Sequence, residues 1–383
     1  MEPRPFSHLA LAFRLLCCVG FALLTACSGP RPLTKVSPDL TMEWPVAGEE
    51  TRVAWVRDIT GAKDLALTKG FWTRVKEMIT GAEDIGIQRP YGVLHDSRHR
   101  LYLADPGAGL VHCFDIDGGR YFVIRGTSEA PMQTPIGLTE DDAGQLYITD
   151  SVGGAVYRYN PDERRLAPFL TEGVTRPTGI AFNRVNKLIY VSDTLNNRVL
   201  AVTLTGVIRQ RLGIDPAEAR HSAGETDFNH PTDLAVDRVG QIYVTDSLNF
   251  RIAVMTPEGL LVREIGAVGD AKGHFSRPKG VAIDSAGHVY VCDALRDEVL
   301  VFDPEGKPLL SFGRSGHGHG GFWMPSGLFI DRDDFIYVAD TYNKQVQVFR
   351  FLPQQNQGQG DVSKGGRPFD AELQVADSEA AGR

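Results

Sequence analysis

RPKGVAIDSAGHVYVCDALRDEVLVFD (277–303) decides the fold, because it breaks into three short apolar runs parted by polar turns. GVAID (280–284) leads through DSAGH into HVYVCD (288–293), and a second turn leads into DEVLVFD (297–303). Runs this short and rich in Val, Ile, Leu and Tyr read as strands, and their near-continuous apolarity marks strands covered on both faces. Five more segments align with it. They are RPYGVLHDSRHRLYLADPGAGLVHCFD from Arg89, TPIGLTEDDAGQLYITDSVGGAVYRYN from Thr134, RPTGIAFNRVNKLIYVSDTLNNRVLAV from Arg176, HPTDLAVDRVGQIYVTDSLNFRIAVMT from His230 and MPSGLFIDRDDFIYVADTYNKQVQVFR from Met324. Their prolines are spaced 45, 42, 54, 47 and 47 residues apart, the period of propeller blades.

Each proline opens the innermost strand of its unit, where a missing N–H breaks no ladder bond, and a following glycine allows close backbone approach near the axis. A fourth, outer strand follows in GRYFVIRG (119–126), GVIRQRLG (206–213), LLVREIG (260–266) and PLLSFG (308–313). The sixth unit lacks one, since after Phe351 the chain runs into LPQQNQGQG. TRVAWVRDI (51–59) has no blade of its own and is expected to complete the sixth, closing the ring and removing its exposed edges. The fold class is therefore all-β: a six-bladed β-propeller closed by an N-terminal strand. One short extra helix is expected over 68–81, where Phe71, Trp72, Val75, Met78 and Ile79 fall at helical spacing and pack on the ring.

Composition agrees with one large folded unit. Of 383 residues 42% are hydrophobic and 23% charged, which excludes a collagen-like or wholly disordered chain. Forty Lys and Arg against 48 Asp and Glu give a net charge of −8, which argues against nucleic acid as a partner.

At the amino terminus, 1–26 reads as a secretory signal whose apolar run LLCCVGFALLTA is too short to span a bilayer. Leu24-Thr25-Ala26-Cys27 follows, and it resembles the lipobox of bacterial lipoproteins. That resemblance implies cleavage before Cys27, acylation of its thiol, a palmitate-type anchor and a mature charge of −9. It also implies a place in the bacterial cell envelope; Ser28, not Asp, points to the outer membrane facing the periplasm. The organisation expected is signal 1–26, tether 27–42, closing strand and capping helix 43–88, propeller 89–352 and a disordered tail 353–383. Cys113 and Cys292 fall in non-adjacent blades and are not expected to bridge.

The pattern P-x-G-[VI]-A-[VI]-D followed by [IV]-Y-V-x-D-[ST]-x-N-x-[RQ]-[VI] resembles the NHL repeat of six-bladed propellers. DTLNNRV (193–199), DSLNFRI (246–252) and DTYNKQV (340–346) match best, whereas DPGAGLV (105–111), DSVGGAV (150–156) and DALRDEV (293–299) have lost the Asn and basic pair. No WD dipeptide occurs. The resemblance implies a binding module. Some propellers of this fold, amidating lyases and lactonase-like enzymes among them, use a metal.

The strand-ending aspartates Asp105, Asp150, Asp193, Asp246, Asp293 and Asp340 precede tight turns and are read as turn-fixing residues, not as a metal ring. The residue before each inner proline falls at the channel mouth, giving Arg89, Thr134, Arg176, His230, Arg277 and Met324, with Lys279 at the same level. Arg89, Arg176, His230, Arg277 and Lys279 are thus candidates for binding an anionic group on an otherwise acidic protein. His95 and Glu140 replace apolar inner-strand residues in adjacent blades and are candidates for a ligand within the channel. No nucleophile elbow, phosphate loop or dinucleotide fingerprint occurs, so no catalytic residue and no cofactor are assigned. The expected function is a lipid-anchored binding or scaffold module for a protein partner or small anionic ligand. Its alternative is a zinc- or calcium-dependent lyase or lactonase-like hydrolase using channel His and carboxylates.

Overall fold

A computed structural model describes residues 42–45, 53–65, 67, 86–213 and 227–352. The signal, Cys27, the helix expected over 68–81 and the tail lie outside the described residues.

Six antiparallel sheets follow one another along the chain, five of four strands and one of five. In the fifth blade the strands are Pro278–Ile283, Val289–Asp293, Glu298–Phe302 and Pro308–Phe312, from the axis outward. The second blade carries an outer strand that its sequence hides, Arg165–Leu170. Pro168 lies in the middle of it, on an outer edge where the lost N–H costs no ladder bond, and the register shifts between Pro168 and Leu170. In the sixth blade Val53–Ile59 pairs antiparallel with Gln345–Phe351 as the fourth strand, and Glu43–Trp44 adds a fifth. Sequence-distant strands thus share one sheet, which makes the ring of the described residues continuous.

Both faces of each blade are buried because alternate side chains serve two different interfaces. Tyr290 and Cys292 point toward the sixth blade with Leu328 and Val338, while Val289 and Val291 point toward the fourth with Ile252 and Val254. The same split repeats at every junction. Val53 and Trp55 join the fifth–sixth interface and Val56 and Ile59 the sixth–first one, the register shift between Trp55 and Arg57 letting neighbouring residues serve opposite faces. Cys113 and Cys292 are free thiols, both buried. The second strands each carry a buried tyrosine, and Tyr147, Tyr290 and Tyr337 donate their hydroxyls to the aspartate that ends the inner strand, at 2.9, 3.0 and 2.8 Å.

Around the axis the inner strands approach so closely that side chains must vanish. A Cβ on Gly92 would lie 2.0 Å from the Ile136 carbonyl oxygen of the next blade, and one on Gly327 2.0 Å from that of Tyr91.

Deleting 43–60 would open the edge of Gln345–Phe351 and take the buried Val53, Trp55, Val56 and Ile59 out of the two blade interfaces they fill, at a cost of at least about 5 kcal/mol. The expected outcome is a lowered melting temperature and aggregation on size-exclusion chromatography; a deletion variant that melts and elutes like the parent overturns the closure.

Candidate functional site

Each second strand ends in an aspartate with 0% exposure. Its carboxylate collects N–H groups from the segment that enters the same blade's inner strand. Asp105 accepts from Gln88 and Arg89 at 2.6 and 3.0 Å, Asp150 from Gln133 and Thr134 at 2.8 and 2.9 Å, and Asp293 from Ser276 and Arg277 at 2.6 and 2.9 Å. Asp193, Asp246 and Asp340 do the same with Thr175 and Arg176, Asn229 and Trp323. In those three blades a turn asparagine adds a bond to the second oxygen, from Asn196, Asn249 and Asn343 at 2.7, 2.8 and 2.8 Å. The first blade, lacking that asparagine, uses the buried His112 ring at 3.2 Å. Burial works to raise the Asp105 carboxyl, but His112 and the N–H groups of Gln88, Arg89 and Ala108 outweigh it and hold the group below its ordinary range.

The Ser or Thr after the aspartate reaches further than the turn. Thr194, Ser247 and Thr341 donate to the carbonyls of Pro231, Pro278 and Pro90 in the next blade, at 2.7, 2.8 and 2.9 Å. These contacts fix the mouth at which the inner strands begin.

Arg89, Arg176, His230, Arg277 and Lys279 all stand at that mouth. The Arg89 guanidinium lies 5.6 Å over the Tyr342 ring, Arg176 Nε donates to Ser151 Oγ at 3.3 Å, and Lys279 Nζ leans 5.8 Å over Tyr91. The backbone of His230 is held by the previous blade's turn, its N–H donating to Asn197 Oδ1 at 3.0 Å.

His95 and Glu140 are at the opposite mouth and do not pair with each other. His95 Nδ1 lies 3.0 Å from Asp331 Oδ2, which also accepts the Tyr337 hydroxyl, and its Nε2 is buried without a hydrogen-bond partner. Glu140 caps the first blade's hairpin, accepting from Ser97 N and Oγ at 3.0 and 2.7 Å. Both residues line a cavity of about 850 Å³ formed by the ends of all six inner strands.

Comparison with known families fits this geometry. The NHL repeat matches residues 275–302 and 322–349. The chain is a six-bladed propeller with NHL repeats. The SMP-30/gluconolactonase/LRE-like region matches 136–269. A structural-genomics protein of unknown function from Bacteroides thetaiotaomicron is similar at 14% identity and TM-score 0.57, over 80% of this chain and 78% of that one. An auxiliary nutrient binding protein from the same organism is similar at 14% and 0.54, over 70% of each chain. Virginiamycin B lyase from Staphylococcus aureus is similar at 15% and 0.51, over 69% of this chain and 96% of that one. At such identities the likeness is one of fold.

The described residues offer no ready ligand set for a metal of the kind some propellers use. Among the described residues no three His, Cys, Asp or Glu side chains converge as a ligand set. The carboxylates at the wide mouth are spent on turns: Asp284 takes the N–H groups of Ala286 and His288, the His288 ring and the Tyr290 hydroxyl. His317 and His319 face Asn343 and Asp58 separately.

Two features escape a reading of the repeats. Trp323 and Tyr342 are large aromatics left 47% and 41% exposed at the basic mouth. Asp233 takes the place of the glycine that the other five blades carry two residues after the proline, a break that the alignment of HPTD with RPKG contains.

Burial pushes the Asp331 carboxyl up, yet the His95 ring, the Phe335 N–H and the Tyr337 hydroxyl outweigh it and set the group below its ordinary value. A carboxyl lowered on folding stabilises the protein above its unfolded-state pKa of about 4 and loses that contribution as pH falls through the folded value. Asp331→Asn is therefore expected to cost about 1–3 kcal/mol at pH 7, with the gap to wild type closing below about pH 4. Urea unfolding at pH 7 and pH 3 measures it; a gap that ignores pH overturns the assignment.

Proposed function

We propose that this SGL/NHL-type propeller is an exported, lipid-anchored binding module whose partner is a polypeptide with an acidic, partly apolar segment. The seat is the mouth where the inner strands begin. The observation that carries this reading is the cluster of Trp323, Tyr342 and Arg89. The two rings pack against each other with centroids 5.4 Å apart and planes tilted by 34°, His317 meets Trp323 edge-on at 5.5 Å, and Arg89 covers Tyr342. Aromatics packed on one another are pre-ordered, so burying them under a partner costs little side-chain entropy, and Trp, Tyr and Arg are the residue types that concentrate binding energy.

The cluster belongs to a wider rim. The second residue after the strand-ending aspartate is apolar and exposed in three further blades, Val152, Leu195 and Leu295 being 68%, 52% and 61% exposed. Exposed Arg176, Arg277 and His230 stand between them. Isolated apolar residues on a surface need no explanation, but a ring of them around a shared opening forms a patch. On a chain of net charge −8 a basic and apolar rim complements acidic partners, with faster encounter at low salt. The fold is shared by a lyase and a nutrient binding protein, so the role is argued from this face alone.

Selection of a displayed peptide library on the full chain is expected to enrich acidic segments with aromatic or aliphatic residues. Their affinity should fall about 30-fold in Trp323→Ala and weaken with added salt in parallel with Arg89→Ala/Arg176→Ala/Arg277→Ala. Ligands that lose affinity in the arginine variant but bind Trp323→Ala unchanged would make the site one for small anions and overturn the polypeptide reading.

The anchor rests on Leu24-Thr25-Ala26-Cys27. Cells grown with labelled palmitate are expected to label the wild-type chain and not Cys27→Ala; an unlabelled wild type overturns the anchor and with it the envelope location.

A further inference from the structure

The axial channel encloses about 190 Å³ between the inner strands of all six blades. Five of these strands present glycine at the narrowest level, Gly92, Gly137, Gly179, Gly280 and Gly327, each packed on the next blade's backbone. The fourth strand presents Asp233, the one charged side chain on the channel wall among the described residues. Its Oδ2 accepts the Val281 N–H at 3.1 Å, and no Lys, Arg or His among the described residues forms an ion pair with it.

A carboxylate in such a place is under-compensated. Backbone N–H groups offset only part of the loss of water at this half-buried carboxyl on the channel wall, and a desolvated charge without a counter-ion is costly to keep. Burial pushes the Asp233 carboxyl up to about 7, the Val281 and Leu234 N–H groups opposing that only in part. Inner strands are sheet edges whose unpaired carbonyls offer acceptors along the axis, and the Thr232 hydroxyl is turned toward the Lys279 carbonyl at 3.5 Å.

Charge outside the channel favours entry of a cation from one side. The wide mouth that holds His95, His99 and Glu140 is lined by seven carboxylates against three guanidinium groups, those of Arg184, Arg238 and Arg332. The opposite mouth carries Arg89, Arg176, Arg277 and Lys279. A low-dielectric channel focuses this field along the axis.

We propose that the axial channel binds a small ammonium-type cation, ammonium itself or a short primary amine, entering from the carboxylate-lined mouth and ion-paired to Asp233. The volume holds such a cation with a few waters, each of about 30 Å³. The cation's N–H groups make directional, charge-assisted hydrogen bonds to the Asp233 carboxylate, which a spherical alkali ion does not. Of the titratable groups nearby, the buried Cys292 thiol of the fifth blade feels the Asp233 charge, Lys279 has its Nζ over Tyr91, and the inner strand of the third blade, Pro177–Asn183, brings none that titrates. This site is independent of the polypeptide-binding rim, and either can fail alone.

Methylammonium chloride is the probe, titrated into the full chain by calorimetry at constant ionic strength, with potassium chloride as the control. Saturable binding is expected at pH 8 and an apparent affinity about tenfold lower at pH 6, where the carboxyl carries its proton. Asp233→Asn should abolish it, and so should Asp233→Gly, which restores the residue of the other five blades and keeps the fold, as a melting curve verifies. Binding that persists in both variants, that does not vary between pH 6 and 8, or that potassium matches overturns the proposal, as does the absence of binding to wild type.

Discussion

A chain that enters a propeller blade at the axis must cross the mouth with its backbone N–H groups pointing into protein, and no strand is there to receive them. Six fully buried carboxylates solve this, each at the end of a second strand and each bonded to the entry segment of its own blade. A neutral acceptor would satisfy the donors with weaker bonds; an ionised one makes charge-assisted bonds and offsets its own desolvation with two to four of them. The balance is not equal around the ring. His112 and three N–H groups hold Asp105 below its ordinary range, while at Asp246 and Asp340 burial prevails and the carboxyls are raised despite asparagine, arginine or glutamine donors. The adjoining hydroxyls then stitch blade to blade through Pro231, Pro278 and Pro90. Everything presented at that mouth, the Arg89 and Trp323 side chains included, hangs from backbone fixed by these bonds.

Most of the ring was legible in the sequence because propeller physics repeats: proline at the axis edge, a glycine beside it, tyrosine on the second strand and aspartate before the turn. The outer strand Arg165–Leu170 was hidden by Pro168, since an edge tolerates what a central strand cannot. The role of the aspartates was legible only in part. Local turn bonds exist, as from Ala108 to Asp105 at 3.0 Å, but the larger role is to a segment about 16 residues upstream, which spacing alone does not reveal.

The candidate residues divide in the same way. Arg89, Arg176, His230, Arg277 and Lys279 share a mouth because the rule that placed them, one step before the proline, is a rule of the repeat. His95 and Glu140 were paired by adjacency of blades, yet a twisted inner strand sends them to different neighbours, His95 back to Asp331 of the sixth blade and Glu140 to Ser97 of the first. Exposure was not legible at all. Nothing in DTYN distinguishes Tyr342, half-exposed against Trp323, from Leu248 at the same turn position in DSLN, which is partly covered.

Repetition also identifies where the molecule departs from structural need. Where a position is glycine in five blades because the next backbone leaves no room for a Cβ, the sixth would be glycine too if only packing mattered. Asp233 alters that arrangement only locally: the register is the one its counterparts keep, but pairing resumes one residue sooner, with Asp233 opposite Thr245. The fourth blade accepts, in one substitution, a side chain on the crowded axis and a carboxyl with no counter-ion among the described residues. Such a combination of costs at a single site, on the axis and between mouths of opposite charge, is what a packing account leaves unexplained and a counter-charge in the channel would resolve.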